Sequence, residues 1–91
     1  MAALYAKDPE AVLDYYVNWA AWLGDDTIVT STWAVDTASD VDLGDPIDLG
    51  PLQGIWVSGG TVHTTALLTN HILTAAGRED ERTILLVIKE H

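Results

Sequence analysis

From Thr27 onward the apolar positions fall in short Thr-, Val-, Ile-, Leu- and Trp-rich runs, separated by clusters of Gly, Pro and Asp. This is the pattern of strands and turns. In the segment from Val62 to Thr74, Val62, Ala66, Leu68 and Ile72 share one parity, and His63, Thr65, Thr69 and His71 share the other. A side-chain period of two makes this a long half-buried strand. In the run from Arg82 to Lys89, Ile84, Leu86 and Ile88 face one way and Leu85 and Val87 the other. A strand apolar on both faces is central in its sheet or covered by a partner. Between the two lie Ala75 to Glu81, with Gly77 and four charged residues, which predict a solvated hairpin connection and an antiparallel pair. Ile55 to Val57 predicts a short strand closed by Ser58, Gly59 and Gly60. Thr27 to Val35 predicts another, with Val29, Ser31, Trp33 and Val35 on one parity. From Asp36 to Gly54, acidic, Gly and Pro residues alternate with single aliphatic ones, as in an irregular edge strand with turns.

The first third fits two patterns. Asp8 as N-cap, Pro9 at the first helical position and Gly24 as a stop frame a helix, with Val12, Tyr15, Tyr16, Trp19, Trp22 and Leu23 at helical spacing. Leu13, Tyr15, Val17 and Trp19 also alternate with Asp14, Tyr16 and Asn18, which fits a strand. Taken together the elements predict an all-β, immunoglobulin-like antiparallel β-sandwich of about seven strands, lacking the Cys pair of antibody domains. Residues 1–8 read as an N-terminal arm and residues 9–91 as one sandwich domain.

Composition narrows the function classes. The chain has 91 residues, 48% of them apolar, which suits one small domain. Its net charge is −10, and its only cations besides histidine are Lys7, Arg78, Arg82 and Lys89. Too few positive groups exist to neutralise nucleic-acid phosphates or to hold an anionic membrane surface. The absence of Cys excludes disulfides, thiolate nucleophiles and Cys-type zinc sites. No apolar run approaches the ~20 residues of a membrane span, and the first residues lack the pattern of a signal peptide, so a soluble acidic protein is expected.

The candidate chemistry is thin. Asp36, Asp40, Asp42, Asp45 and Asp48 suggest calcium, yet the stretch lacks the ligand spacing and closing Glu of a calcium loop, so it reads as a solvated edge. His63 and His71 stand eight residues apart, ~26 Å at strand rise, too far to share an ion; with His91 they read as surface residues. Ser31, Ser39 and Ser58 lie in no nucleophile elbow, Asp25 and Asp26 have no evident cleft, and the glycines form no phosphate loop. No catalytic residue, metal site or cofactor is expected.

The aromatic content is more informative. Four Trp and three Tyr with no Phe exceed what one small core needs. Trp33 and Trp19 are expected in the core, while Trp22, Trp56, Leu4 and Tyr5 are candidates for subunit contacts, where such residues are enriched. A second reading has exposed Trp22 or Trp56 stacking on sugar faces.

Six segments in order carry a resemblance. They are Lys7 to Tyr15, Trp19 to Ile28, Ser31 to Trp33, Ile55 to Thr61, Leu68 to Asn70, and Gly77 to Thr83. Together they resemble a family of short virion proteins of tailed bacteriophages described as fiber-tail adaptor proteins, over about Lys7 to Lys89. The resemblance implies an immunoglobulin-like sandwich and a strand over Leu13 to Trp19. It also implies a structural, non-enzymatic part of the virion, assembled in the host cytoplasm and joined to other virion proteins. Exposed edge strands, a liability in a small monomer and an asset in an assembly, point further to contacts with copies of itself in a large symmetric assembly. A capsid decoration or head-tail connector is the alternative. The small Ala66 stands where such proteins carry an aromatic, so a neighbouring Trp is expected to fill that part of the core. Seven of the fourteen acids lie between Asp25 and Asp48, away from all four Lys and Arg. Asp40, Asp42 and Asp45 are therefore candidates to meet a more basic virion partner.

Overall fold

The computed structural model describes residues 3–37 and 39–90. Two residues of the expected arm, Met1 and Ala2, and the third histidine, His91, lie outside the described residues. The element order is β1 (Ala3–Lys7), β2 (Leu13–Asn18), α1 (Ala20–Leu23), β3 (Ile28–Val35), β4 (Val41–Leu49), β5 (Leu52–Gly59), β6 (Thr65–Thr74) and β7 (Glu79–Ile88). The strands form a four-stranded sheet of order β1-β7-β6-β3 and a three-stranded sheet of order β2-β5-β4. Apart from β1, which runs parallel to β7, the pairings are antiparallel. The orders β3-β6-β7 and β2-β5-β4 reproduce the C-F-G and B-E-D arrangements of an immunoglobulin sandwich. The expected all-β sandwich of seven strands is thus what the chain forms.

The core sits between the sheets. Leu68 and Ile72 of β6, Ile84, Leu86 and Ile88 of β7, and Ile55 and Val57 of β5 are buried. Each such side chain contributes about 1.5–3 kcal/mol of transfer free energy. The alternation read along β6 and β7 matches their burial, and Leu85 and Val87 are half-buried because β7 lies between β1 and β6. Trp19 is fully buried, and its indole Nε1 donates to Asn70 Oδ1 at 2.9 Å. Asn70, also fully buried, donates from Nδ2 to Ser31 Oγ at 2.8 Å and to the Thr32 carbonyl at 3.1 Å. This chain of bonds runs from the end of β2, in one sheet, to β6 and β3 in the other. Arg82 lies 4.3 Å over the Trp19 ring and Trp22 packs against its edge.

Several local expectations are corrected. Residues 3–7 are not an arm standing apart from the domain: they hydrogen-bond along residues 84–88 of β7 as an edge strand. Their inward positions are Tyr5, whose ring meets Tyr15 at 5.4 Å, and Lys7, which is fully buried. Lys7 Nζ donates to the carbonyls of Gly59 at 2.6 Å and Asp8 at 2.9 Å. Burial lowers its pKa, and the neighbouring Asp8 opposes that shift. An inward lysine hides the strand pattern, since lysine is rarely interior unless its ammonium is satisfied.

Of the two readings of the first third, the strand holds over Leu13–Asn18, and the helix shrinks to Ala20–Leu23, ended by Gly24. In β3 a bulge between Ile28 and Thr30 turns Val29 outward, where it is 62% exposed, so it leaves the parity it was assigned. Trp33 is only partly buried against the core. The stretch from Asp36 to Gly54 is more regular than expected. It holds the nine residues of β4 and the start of β5, with one irregularity between Leu43 and Pro46. Pro46, without an N–H, is tolerated because β4 is an edge strand.

Asn70→Ala is expected to cost about 2–3 kcal/mol, because it strands the buried indole N–H and removes the bonds to β3. Urea unfolding checks this. Deleting residues 1–7 is expected to lower the thermal midpoint, as β1 and the Lys7 tie go together. An unchanged midpoint would show β1 to be dispensable.

Candidate interaction surface

The outward positions of the three-stranded sheet follow from its register. Asp14 pairs with Trp56, Tyr16 with Gly54, and Asn18 with Leu52 across β2 and β5; Ile47 pairs with Gly54 and Leu49 with Leu52 across β5 and β4. Tyr15 and Ile55, at the alternate positions, point into the core. Tyr16 lies directly over Gly54: a Cβ there would stand 2.5 Å from Tyr16 Cε1. A glycine in a central strand thus makes the seat for an aromatic ring. Trp56, 40% exposed, is backed by Gly44, whose Cβ position is 3.0 Å from Trp56 Cβ. The Tyr16 hydroxyl donates to Asp14 Oδ2 at 2.7 Å, and this bond raises the phenol pKa. The outer face is therefore an aromatic and aliphatic surface of Tyr16, Trp56, Ile47, Leu49 and Leu52, with Asp14 and Asp42 beside it.

The four-stranded sheet has a different outer face. Leu4 pairs with Leu85, Ala6 with Val87, and Leu85 and Val87 with Leu67 and Thr65 of β6. These residues make an uncharged aliphatic stripe across three strands, in which Leu4 is 66% and Leu67 42% exposed. Further along the same face the polarity changes. Thr69 bonds Thr83, and His71 Nε2 lies 2.9 Å from Glu79 Oε1.

Most acids that punctuate the turns act as hydrogen-bond acceptors for the backbone. Asp36 accepts from the Ser39 hydroxyl and the Leu67 N–H, bonds that lower its pKa. Asp40 accepts from the Thr61 hydroxyl and N–H. Asp48 accepts from Gln53 at 2.8 Å and from the Gly50 N–H at 3.0 Å, which lowers its pKa. Asp26 is the most engaged: Thr74 holds it first, with the N–H groups of Thr27 and Ala76 and the Arg78 guanidinium at 3.1 Å, and its pKa falls to about 2. Arg78 in turn lies 4.2 Å over the Trp22 ring and donates to the Leu23 carbonyl at 2.9 Å. A cleft of about 370 Å³ between α1 and the β4–β5 turn is lined by Asp26 and Asp48, both already bonded in this way. Among the described residues no group of three or more His, Asp or Glu is placed to hold a metal ion.

The seven residues singled out from the sequence do not form one site. Trp56 and Asp42 share the outer face of the three-stranded sheet, with Asp45 exposed in the irregular part of β4. Asp40 precedes β4 and ties to Thr61. Leu4 belongs to the aliphatic stripe of the other sheet, while Tyr5 points to the inner side against Tyr15. Trp22 is half-buried against the core, with Arg78 over its ring. Sequence reasoning missed Tyr16, Ile47, Leu49 and Leu52 on one face and Leu67 on the other. Gly54 inside a run of strand residues was the available signal for the first group, and the second apolar parity of β7, Leu85 and Val87, was the signal for the stripe.

Residues 7–87 match the family described as podophage GP4 fiber-tail adaptor protein gp77. No curated protein matches the chain.

Asp26 generates a pH prediction. Its pKa of about 2 in the folded chain lies below the unfolded value near ~3.9, so the stabilisation is complete above about pH 4 and is lost as pH falls toward 2. Asp26→Asn is expected to lower stability at neutral pH and to flatten the loss between pH 4 and 2, measured by urea unfolding across that range.

Proposed function

Because the chain belongs to the podophage fiber-tail adaptor family, we propose that this virion component is a non-enzymatic connector that joins tail and fiber proteins through the outer faces of its two sheets. The observation that carries the reading is the pair of apolar faces on opposite sides of one thin body, 41 × 19 × 19 Å in extent. Exposed contiguous apolar surface of this kind marks protein contacts. An adaptor needs two independent faces, and a sandwich provides them without any moving part.

The two faces divide the work by charge. The stripe of Leu4, Ala6, Leu67, Leu85 and Val87 carries no charge, so it can meet the same stripe on a second copy without like-charge repulsion. The opposite sheet is less suited to this, since Asp14 and Asp42 flank its outer face, Asp45 is exposed in β4, and its strands carry no Lys or Arg. The aliphatic stripe is the contact between copies in a symmetric assembly, and the acidic aromatic face receives a different virion protein. The bonded state of Asp26 and Asp48 leaves the cleft between α1 and the β4–β5 turn without free convergent groups, which fits a structural part better than a catalyst.

Leu67→Ser is expected to weaken self-association by roughly ten- to a hundredfold, since one buried leucine is worth roughly 1.5–3 kcal/mol and each ~1.4 kcal/mol is a factor of ten. Sedimentation of the isolated protein reads this. Trp56→Ser is expected to leave self-association intact and to reduce incorporation into particles. If both variants incorporate like the natural chain, neither face is an assembly contact.

A further inference from the structure

We propose that the outer face of the β2-β5-β4 sheet docks an arginine-bearing protein surface, the guanidinium lying on Trp56 and Tyr16 and pairing with Asp14 or Asp42. The inference rests on the reading of this face as an assembly contact and names the chemistry of its partner. Asp14 stands directly opposite Trp56 in the register and holds Tyr16 through its hydroxyl, so carboxylate and both rings are neighbours on one flat surface. The Tyr16 ring is seated on Gly54, and Gly44 packs against the Trp56 Cβ and backbone, so no side chain from either glycine stands between the two aromatics and a planar group.

The same constellation already occurs, filled, elsewhere in the chain. At the end of the sandwich, Arg78 lies over Trp22 at 4.2 Å while its Nε donates to Asp26 at 3.1 Å. That trio shows what a Trp beside an Asp accommodates here. On the outer face the Trp and the Asp are present and the cation is not supplied by the described chain. Lys7 is buried between the sheets, Arg78 and Arg82 lie over Trp22 and Trp19, and Lys89 follows β7 in the other sheet, bonded through its N–H to the Lys7 carbonyl. Charge complementarity therefore calls for a cation from outside. Arginine fits better than lysine, because a planar guanidinium stacks on an aromatic face and bonds a carboxylate bidentately at the same time. A second copy is disfavoured as occupant, since it would bring Asp14 and Asp42 against their own like charges.

The test uses the full chain and particles assembled without it, with docking measured at 50 and 300 mM salt. Blocking the particles' arginines with phenylglyoxal is expected to abolish docking, whereas acetylating their lysines leaves it. Asp14→Asn combined with Asp42→Asn is expected to weaken docking roughly tenfold at low salt and to flatten its salt dependence, because a desolvated cation–π and ion-pair contact is worth about that factor. Thermal midpoints of the variants are compared with the natural chain; the phenylglyoxal arm needs no variant. If Trp56→Glu leaves docking unchanged, the face is no contact and the proposed function falls with the inference. If Trp56→Glu abolishes docking while arginine blocking and the Asp changes have no effect, only the arginine inference is overturned. Competition by soluble polysaccharide in that case identifies a sugar-binding face instead.

Discussion

The two sheets are held in one register by the hydrogen bond from the Trp19 indole to Asn70. Trp19 follows β2 and its N–H donates to the Pro51 carbonyl, so it is fixed to the three-stranded sheet. Asn70 sits in the middle of β6 and is bonded to both Ser31 and Thr32 of β3. In immunoglobulin domains of the antibody type a disulfide crosses this space and a Trp packs on it. Here, without cysteine, the Trp itself makes the crossing and an amide receives it. The arrangement is costly to leave incomplete, since each buried polar group lacking its partner costs about 1–3 kcal/mol. Apolar contacts alone would tolerate slippage between sheets; a buried donor and acceptor that must meet do not.

The remaining ties lie at the ends and turns. Lys7 joins β1 to Gly59 of the other sheet, and Arg82 reaches from β7 over Trp19 to the Asn18 carbonyl. Asp26, Asp40 and Asp48 accept the N–H groups of connecting segments, and Asp36 that of Leu67 in β6. Three of the four Lys and Arg side chains are thus spent inside the molecule's own framework. The negative charge left over is not spread evenly: the strands of the smaller sheet carry four Asp and no cation. A fold held by its interior and its turns leaves both broad faces free, which is the geometry a connector requires.

Legibility varied with how far each feature depended on neighbours in the chain. Strands β6 and β7 and their hairpin were readable because alternation and turn residues are local properties. β1 was hidden because its inward residues are a tyrosine and a lysine, and one of the two carbonyls that satisfy the interior Lys7 belongs to Gly59, more than fifty residues away. Val29 was misplaced because a bulge shifts parity without any marker in composition. Asn70 shared the buried parity of Ala66, Leu68 and Ile72, yet an asparagine reads as exposed until its partner Trp19 is known.

The candidate faces show the same division. That the chain had more aromatic side chains than its core needed, and that half of its acids lay in a span without Lys or Arg, was determined by the sequence itself, since both are matters of count and position. Which aromatics were surplus was decided only by tertiary structure. Trp22 was absorbed by Arg78, contributed from the hairpin between β6 and β7, and Trp56 was left outward by the pleat of β5. Tyr16 joined it because Gly54 of the adjacent strand gave its ring a seat. Period and composition act along the chain, but a surface is made by residues brought together across strands, and the register that does so is set by long-range pairing.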